Sequence, residues 1–183
     1  MRLFIAADVS SEIKEYIMTL QAGIDKKLGK FTLVRPESMH LTLKFLGEVP
    51  ESKIEGFQKL LSEIEFPEFT LTTSKIRFFP NENYIRVVVV EFEDCEAIKE
   101  LWRNINNKLH PHFKRDKDFI AHLTLARVKF ISPENKEKFL ACINNLETKK
   151  LSFKVDRFKL YQSTLLPTGP IYNVLDGFRA KKE

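Results

Sequence analysis

The stretch His40-Leu41-Thr42-Leu43 recurs as His122-Leu123-Thr124-Leu125 in a chain of 183 residues that contains four histidines. Successive side chains of a β-strand point to opposite faces, so each copy places its histidine and threonine on one face and its leucines on the other. The imidazole and the hydroxyl then stand about 7 Å apart along the strand. Each copy is therefore expected to bury its leucines and to present one proton-transfer group beside one hydroxyl.

The two histidines are 82 residues apart, and the predicted elements of residues 1–82 and 83–183 follow the same order. Each half begins with an apolar strand, followed by a helix predicted from apolar residues at helical spacing. The histidine strand comes next, then a second helix whose start is indicated by Pro50 in one half and Pro133 in the other. A further strand closes each half. The predicted opening strands are 3–9 and 85–90, the closing strands are 69–76 and 151–160, the turns are 80–83 and 167–170, and the unpaired final strand is 171–178.

This order predicts one domain, residues 1–183, of the α+β class. Its two lobes would each be strand-helix-strand-helix-strand, related by an approximate internal repeat of residues 1–82 and 83–183. In the closing strand 151–160 the apolar phase switches after Val155, as a β-bulge would produce. A pseudo-twofold axis between the lobes would bring both histidine strands to a central cleft, where two imidazoles could flank one substrate.

Composition excludes several classes of protein. No apolar run approaches the roughly 20 residues that span a bilayer, and the first residues do not form a signal peptide. Cys95 and Cys142 form no Cys-x-x-Cys pair, which argues against a disulfide framework or a structural zinc site. We therefore expect a soluble, cytoplasmic protein with no membrane contact. The net charge of +5 fits an anionic partner such as RNA but does not identify one.

Two histidines can together supply a general base and a general acid near neutral pH, and phosphoester cleavage requires both. The alternative is that each His-x-Thr is a strand pair with ordinary hydrogen bonds, but a structural histidine has no reason to recur at the repeat offset. Zinc catalysis usually requires three protein ligands, so two histidines predict no metal. His110 and His112 follow a predicted helix and are interpreted as capping or surface residues.

At these residues the chain resembles the 2H phosphoesterases and, within them, the RNA 2′,3′-cyclic phosphodiesterases, also called the 2′-5′ RNA ligase family. Paired His-x-Thr-x motifs are the signature of that family, and the resemblance spans nearly the whole chain. Further family-like stretches are Arg2-Leu3-Phe4-Ile5-Ala6, Pro36-Glu37-Ser38-Met39, Lys44-Phe45-Leu46-Gly47-Glu48, Ala126-Arg127, Ser163-Thr164-Leu165 and Gly169-Pro170-Ile171-Tyr172.

The resemblance implies a bilobal fold of two antiparallel sheets with helices packed outside and a central active-site cleft. It also implies an enzyme without metal or other cofactor that hydrolyses RNA 2′,3′-cyclic phosphate ends to 2′-phosphates. Carried onto this sequence, His40 and His122 are the acid–base pair, and Thr42 and Thr124 bind the phosphate. Arg127 matches the family's basic residue after the second motif.

Strict strand alternation disagrees in part with the resemblance. It places Ala126, and not Arg127, on the face of His122, and it places Lys44 on the face of His40. If the strand bends after Leu125, Arg127 can bind the phosphate, and otherwise it is structural. We expect phosphate binding by Arg127 and keep Lys44 as a second candidate.

The symmetric motifs do not distinguish the acid from the base, and the hypothesis adopted here is His122 as base and His40 as acid. The reverse reaction, 2′-5′ RNA ligation, could use the same residues, and an RNA-end-binding module is the alternative outside enzymes. The expected partner is RNA with a cyclic phosphate end, bound by a monomer. Candidates for gripping single-stranded RNA through stacking and charge are Phe45, Phe113, Phe119, Lys114, Arg115 and Lys117.

Overall fold

A computed structural model of the chain describes residues 1–167 and 169–181. The strands are β1 Arg2–Asp8, β2 Lys30–Leu33, β3 His40–Glu48, β4 Phe69–Asn81, β5 Tyr84–Phe92, β6 His122–Phe130, β7 Ser152–Val155, β8 Arg157–Leu166 and β9 Gly169–Arg179. The helices are α1 Ser11–Ala22, α2 Ile54–Ser62, α3 Glu96–Leu109 and α4 Pro133–Asn144. The turn predicted at residues 80–83 is confirmed between β4 and β5, whereas Thr168 of the turn predicted at 167–170 lies outside the described residues.

The strands form two antiparallel sheets, with the orders β3-β1-β8-β9 and β2-β6-β5-β4-β7. The predicted α+β class is therefore confirmed. Each sheet holds strands from both halves of the chain, because β8 pairs with β1 while β4 pairs with β5. The prediction that each closing strand stays with its own half was wrong.

The predicted strand 151–160 is two strands in the structure. β7 pairs with β4 in one sheet, and after Asp156 the chain enters the other sheet as β8 and pairs with β1. The apolar residues change from one face of the chain to the other after Val155 because the chain changes sheet there. The β-bulge predicted from this change was wrong. β9, which had no counterpart in the first half, completes the four-stranded sheet by pairing with β8.

The hydrophobic core lies between the sheets and the helices. All four leucines of the two motifs are buried in it, as predicted. Complete burial of a leucine contributes about 1.5–3 kcal/mol to stability. Burial of both leucines therefore strongly favours the orientation in which they face the core. Helix α1 packs against β6 and α3 packs against β3, which couples each helix to the histidine strand of the other half. The opposite faces of β3 and β6 are left for the cleft.

The exchange of strands predicts that neither residues 1–82 nor residues 83–183 fold alone. Each fragment would lack a strand that pairs along the centre of its sheet and would expose the corresponding backbone groups and core side chains. We expect each purified fragment to show little cooperative thermal unfolding by circular dichroism, and the equimolar mixture to recover it. Cooperative unfolding of either fragment by itself would contradict this prediction.

Candidate active site

The strands β3 and β6 have the same pattern of burial over all nine residues. His40, Thr42, His122 and Thr124 are half-buried, and the leucines between them are fully buried. The two copies of the motif therefore have the same orientation relative to core and cleft. Local alternation predicted this arrangement correctly as far as the second leucine of each copy.

At the second leucine of each copy, the strand contains an extra residue relative to its neighbour. Ala6 pairs with Thr42 and Ile5 pairs with Lys44, so Leu43 has no partner on β1. In the other sheet Val89 pairs with Thr124 and Val88 pairs with Ala126, which leaves Leu125 without a partner on β5. Such a bulge inverts the alternation of the residues that follow.

The inverted alternation brings Arg127 to the cleft. Ala126 is completely buried, and Arg127 projects on the same side as His122 and Thr124. In β3 the same inversion buries Lys44 and exposes Phe45, which is 70% accessible. Strict alternation had placed Lys44 and Ala126 on the histidine faces, but after the bulges both residues are buried. Lys44 nevertheless borders the cavity that His40 lines.

A buried glutamine supports the bulge in β6. The Gln21 amide nitrogen donates to the carbonyl oxygens of Val34 and Leu125, at 2.8 and 2.9 Å. Leu125 is the extra residue, so this contact from α1 satisfies a carbonyl at the bulge. Nothing in the sequence distinguished Gln21 from the other polar residues of its helix.

The site residues predicted from sequence meet at one cavity of about 410 Å³. Its lining includes both histidines and both threonines of the motifs together with Arg127. Neither threonine hydroxyl has a hydrogen-bond partner in the described part of the chain, so both can donate to a bound molecule. Residues that line the cavity and that sequence reasoning had not assigned to it include Thr32, Arg35, Phe79, Trp102 and Tyr172.

His122 is held by a hydrogen bond between its Nδ1 and the carbonyl oxygen of Ile120, at 2.7 Å. A carbonyl only accepts, so Nδ1 carries the hydrogen and the neutral ring has its lone pair on Nε2. The ring of Phe79 lies edge-on, with 5.1 Å between ring centroids. Burial lowers the pKa of His122; the bond to Ile120 and the charge of Glu91 act against this, and Arg127 adds to it.

The imidazole of His40 packs against two aromatic rings. Its ring centroid is 4.7 Å from that of Phe4 and 5.1 Å from that of Tyr172. Burial lowers the pKa of His40 to about 4; a hydrogen bond with the Ser38 backbone opposes that effect and the charge of Arg127 reinforces it. With its pKa that low, His40 is neutral at physiological pH.

Burial lowers the pKa of both histidines and raises that of Tyr172, and at all three residues the charge of Arg127 acts to lower the pKa. Arg127 therefore lies near the residues of both lobes. A guanidinium in this place presents a planar fork of donors to a phosphate. The cavity thus combines the positive charge of Arg127, two hydroxyl donors and two imidazoles.

Lys44 has a different environment. Its ammonium donates to Asn106 Oδ1 at 2.6 Å, to Asp116 Oδ2 at 2.9 Å and to the carbonyl oxygen of Lys114 at 3.0 Å. These acceptors use all three of its donors, and its side chain is 1% exposed. This bonding disfavours the predicted contact between Lys44 and a phosphate, and it ties β3 to the loop that leads to β6.

The aromatic candidates for gripping RNA separate into two groups. Phe45 lines the cavity and is largely exposed, and Phe119 lines it while stacked on Trp102 at 5.4 Å between centroids. Phe113 instead packs against Phe57 at 5.0 Å. Phe45 and Phe119 can therefore meet a base in the cavity, and Phe113 belongs to the core.

Within residues 1–167 and 169–181, no group of three or more His, Cys, Asp or Glu side chains is arranged to hold a metal ion. No helix of the described chain is both long and apolar enough to cross a membrane.

The fold and the site together define a class. A bilobal α+β architecture with paired His-x-Thr strands at one cavity is that of the 2H phosphoesterases. The model of the family described as LigT-like phosphoesterase matches residues 8–89 and 92–172, and the chain belongs to this family.

Relatives match along nearly the whole length. An RNA 2′,3′-cyclic phosphodiesterase of Thermotoga maritima is 38% identical over 96% of this chain and 93% of its own. The protein of the same name from Methanocaldococcus jannaschii is 37% identical over 96% of this chain and 98% of its own. Among solved structures, TT0787 of Thermus thermophilus superimposes with a TM-score of 0.81 at 27% identity, covering 98% of this chain and 97% of that one.

The bonding of Lys44 predicts that Lys44→Met lowers stability and leaves the affinity for substrate nearly unchanged. Removing the ammonium deprives partly buried acceptors of their donor, at a cost of about 1–3 kcal/mol in the free energy of unfolding. Urea unfolding and KM for a cyclic-phosphate substrate check this, with the exposed Lys26→Met as the control. A large rise in KM at unchanged stability would instead favour phosphate binding.

The lowered pKa of His40 predicts a loss of stability in acid. The unfolded chain, with a histidine pKa near 6.5, binds the proton more readily than the folded chain, with a pKa of about 4. This contribution is fully present above pH 6.5 and is lost progressively as the pH falls towards 4. The lowered pKa of His40 therefore reduces the free energy of unfolding by about 3 kcal/mol between pH 7 and pH 4.

In His40→Asn, the difference between the free energies of unfolding at pH 7 and pH 4 should therefore shrink by about 3 kcal/mol. Urea unfolding at a series of pH values measures it. The control variant Asn107→Gln replaces an exposed side chain that does not titrate in this range, and it should keep the pH dependence of the parent protein. Equal slopes in His40→Asn and the parent would contradict the prediction.

Proposed function

We propose that this protein hydrolyses 2′,3′-cyclic phosphate ends of RNA to 2′-phosphates by general acid–base catalysis with His40 and His122. The observation that carries the proposal is the convergence of both histidines, both threonines and Arg127 on one cavity. The names of relatives that are 37–38% identical over nearly the whole chain support the choice of substrate.

The cyclic phosphate carries one negative charge, which Arg127 and the hydroxyls of Thr42 and Thr124 would bind. One neutral imidazole removes a proton from water as the water oxygen bonds to phosphorus. The bond between phosphorus and O3′ breaks, and the other, protonated imidazole gives its proton to O3′. Donors placed on the phosphoryl oxygens stabilise the charge that develops in the transition state. The products are a 2′-phosphate and a free 3′-hydroxyl.

Two alternatives use the same cavity. A 5′-hydroxyl of RNA in the place of water would give a 2′-5′ linkage, and the concentration of water favours hydrolysis over this ligation. A module that only binds RNA ends would need the cationic and aromatic lining but not the pair of imidazoles.

We also propose that the protein works as a monomer, that residues 1–183 form one catalytic domain, and that it acts on RNA in the cytoplasm without a metal or another cofactor. The interlocked sheets support a single domain. Cys95 and Cys142, which are unpaired in the structure, fit a reducing compartment. Light scattering coupled to gel filtration tests the monomer.

The proposed function predicts turnover of an oligonucleotide with a 2′,3′-cyclic phosphate end in the presence of EDTA, with the product phosphate on the 2′-oxygen. Positioned acids and bases commonly contribute about 10²–10⁴-fold each. We expect His40→Ala and His122→Ala each to lose activity on that scale and to keep their affinity for RNA. The phosphate position in the product can be assigned by ³¹P NMR.

The exposed residue His112 provides the matched control, and His112→Ala should retain the parental rate. Turnover that is indifferent to both active-site substitutions would favour the RNA-end-binding module. Loss of turnover in EDTA that added metal restores would refute the metal-independent reaction.

A further inference from the structure

The cavity has a second guanidinium group, which the proposed reaction does not use. Within the described residues, the lysine and arginine side chains that line the cavity are Arg35, Lys44 and Arg127. Lys44 is buried, and its three donors are used by protein acceptors. Arg127 would bind the cyclic phosphate. Arg35 lines the same cavity with a side chain that is 54% exposed, so its guanidinium lies at the rim and is accessible to a ligand.

Arg35 and Arg127 are close to one another in the fold. Thr32 of β2 pairs with Arg127 of β6, and Arg35 follows Thr32 by three residues. Three residues span at most about 11 Å, so the backbone of Arg35 lies within that distance of the residue beside Arg127. Both side chains line one cavity. They are therefore placed to bind two negative charges of one molecule.

The guanidinium of Arg35 packs against β9 of the other sheet. A Cβ atom at Gly169 would approach the Arg35 Nη2 atom to 2.7 Å, so a side chain at this position would displace the guanidinium. The backbone of Gly169 also has a φ of +122°, which favours glycine. Gly169 therefore leaves the space that Arg35 occupies, and Arg35 extends from one sheet to the rim of the other.

The corresponding positions of the other lobe carry different side chains. The residue 82 positions before Arg127 is Phe45, and the residue 82 positions after Arg35 is Lys117. Phe45 lines the cavity, but Lys117 is not among the lining residues. The charged lining residues of the loop that contains Lys117 are instead Asp116 and Asp118. The cavity thus has a cationic side with two arginines and an opposite side with aromatic rings and carboxylates.

This asymmetry favours one path for a bound RNA chain. Each nucleotide before the cyclic end adds one phosphodiester with one negative charge. Carboxylates repel that charge, and guanidinium groups attract it and match the geometry of its oxygens. An RNA chain whose cyclic end lies at Arg127 is therefore expected to leave the cavity past Arg35 and not past Asp118.

A carboxylate lies close to Arg35 and weakens its attraction for an anion. Arg35 Nη1 and Glu37 Oε1 are 3.7 Å apart, which is longer than a hydrogen bond, and the side chain of Glu37 is 66% exposed. Exposed ion pairs of this kind contribute little to stability. A phosphate can therefore displace Glu37 from Arg35, and removal of the Glu37 charge should favour the phosphate.

On the basis of the proposed function, we propose that Arg35 binds the phosphodiester that precedes the terminal nucleotide, and that it makes the protein select RNA chains over free nucleoside cyclic phosphates. Arg127 and Arg35 then hold neighbouring phosphates of one strand. A nucleoside 2′,3′-cyclic phosphate has the first of these phosphates and lacks the second. Arg35 does not touch the reacting atoms, so it determines specificity and takes no part in the chemical step.

Three substrates test the role of the second phosphate. They are uridine 2′,3′-cyclic phosphate, the uridine dinucleotide with the same cyclic end, and that dinucleotide with an uncharged methylphosphonate in place of its internucleotide phosphate. Hydrogen bonds to a charged group of this kind are worth about tenfold in kcat/KM at a partly exposed site. The parent protein should prefer the charged dinucleotide over the methylphosphonate by this factor, and Arg35→Gln should lose the preference.

Two further variants separate charge from local structure. Glu37→Gln should increase the preference for the charged dinucleotide, because a repulsive charge is removed. Arg103 provides the matched control, since it is 47% exposed, is paired with the exposed Glu96 on α3 and does not belong to the cavity lining. Arg103→Gln should keep the parental preference. Arg35→Lys, which retains the charge, should recover part of it.

The dependence on salt gives an independent measurement. Each contact with a phosphate of a single strand contributes about 0.7 to the slope of log affinity against log salt concentration. The slope of log kcat/KM for the charged dinucleotide should therefore be less steep in Arg35→Gln by about 0.7. The slopes of the parent and Arg35→Gln should agree on the methylphosphonate. A merely structural role of Arg35 would change the rates and leave the slopes equal on both dinucleotides.

A parent protein that hydrolyses both dinucleotides equally well would overturn this inference while leaving the phosphodiesterase intact, and that comparison requires no variant. Equal preferences in the parent and Arg35→Gln would do the same. A parent protein inactive on all three substrates would refute the proposed function, and the inference that rests on it would fail with it.

Discussion

The bulge at the second leucine of each motif determines which side chains reach the cavity. Leu43 and Leu125 each lack a partner on the adjacent strand, and the alternation of side chains inverts after them. Without the bulge in β6, the completely buried Ala126 would occupy the cleft side, and Arg127 would be directed into the apolar core. An unpaired guanidinium there would be very costly, so the bulge serves both the core and the site.

The exchange of strands between the halves fixes the relation of one histidine to the other. Because β8 pairs with β1 and β4 pairs with β5, the two halves of the chain cannot separate without breaking central strand pairs in both sheets. The helices add to this coupling, since α1 supports β6 through Gln21 and α3 supports β3 through Asn106. A cavity between two sheets held in this way can keep two imidazoles at a constant separation. General acid–base catalysis depends on such placement.

The electrostatics of the cavity follow from burial of the same residues. Desolvation lowers the pKa of both histidines, and the positive charge of Arg127 acts in the same direction in both lobes. A bound phosphate would offset the charge of Arg127 and favour protonation of one imidazole at the moment when it is needed. The carboxylates across the sheet from the histidines also differ between the lobes. Asp8, which pairs with His40, accepts a hydrogen bond from the hydroxyl of Tyr161, whereas Glu91, which pairs with His122, accepts one from Arg77.

The sequence by itself determined the repeated motif, the α+β class, the buried leucines and the histidine, threonine and arginine residues that meet at the cavity, because these depend on side-chain alternation and on recognisable motifs. Only the tertiary structure decided the bulges, the exchange of strands, the burial of Lys44 and the pairing of Asp8 and Glu91 with the histidines. These features arise from contacts between residues far apart in the chain. The phase of a strand after a bulge, and the choice of sheet after Asp156, depend on the partner strand, and local patterns contain no information about that partner.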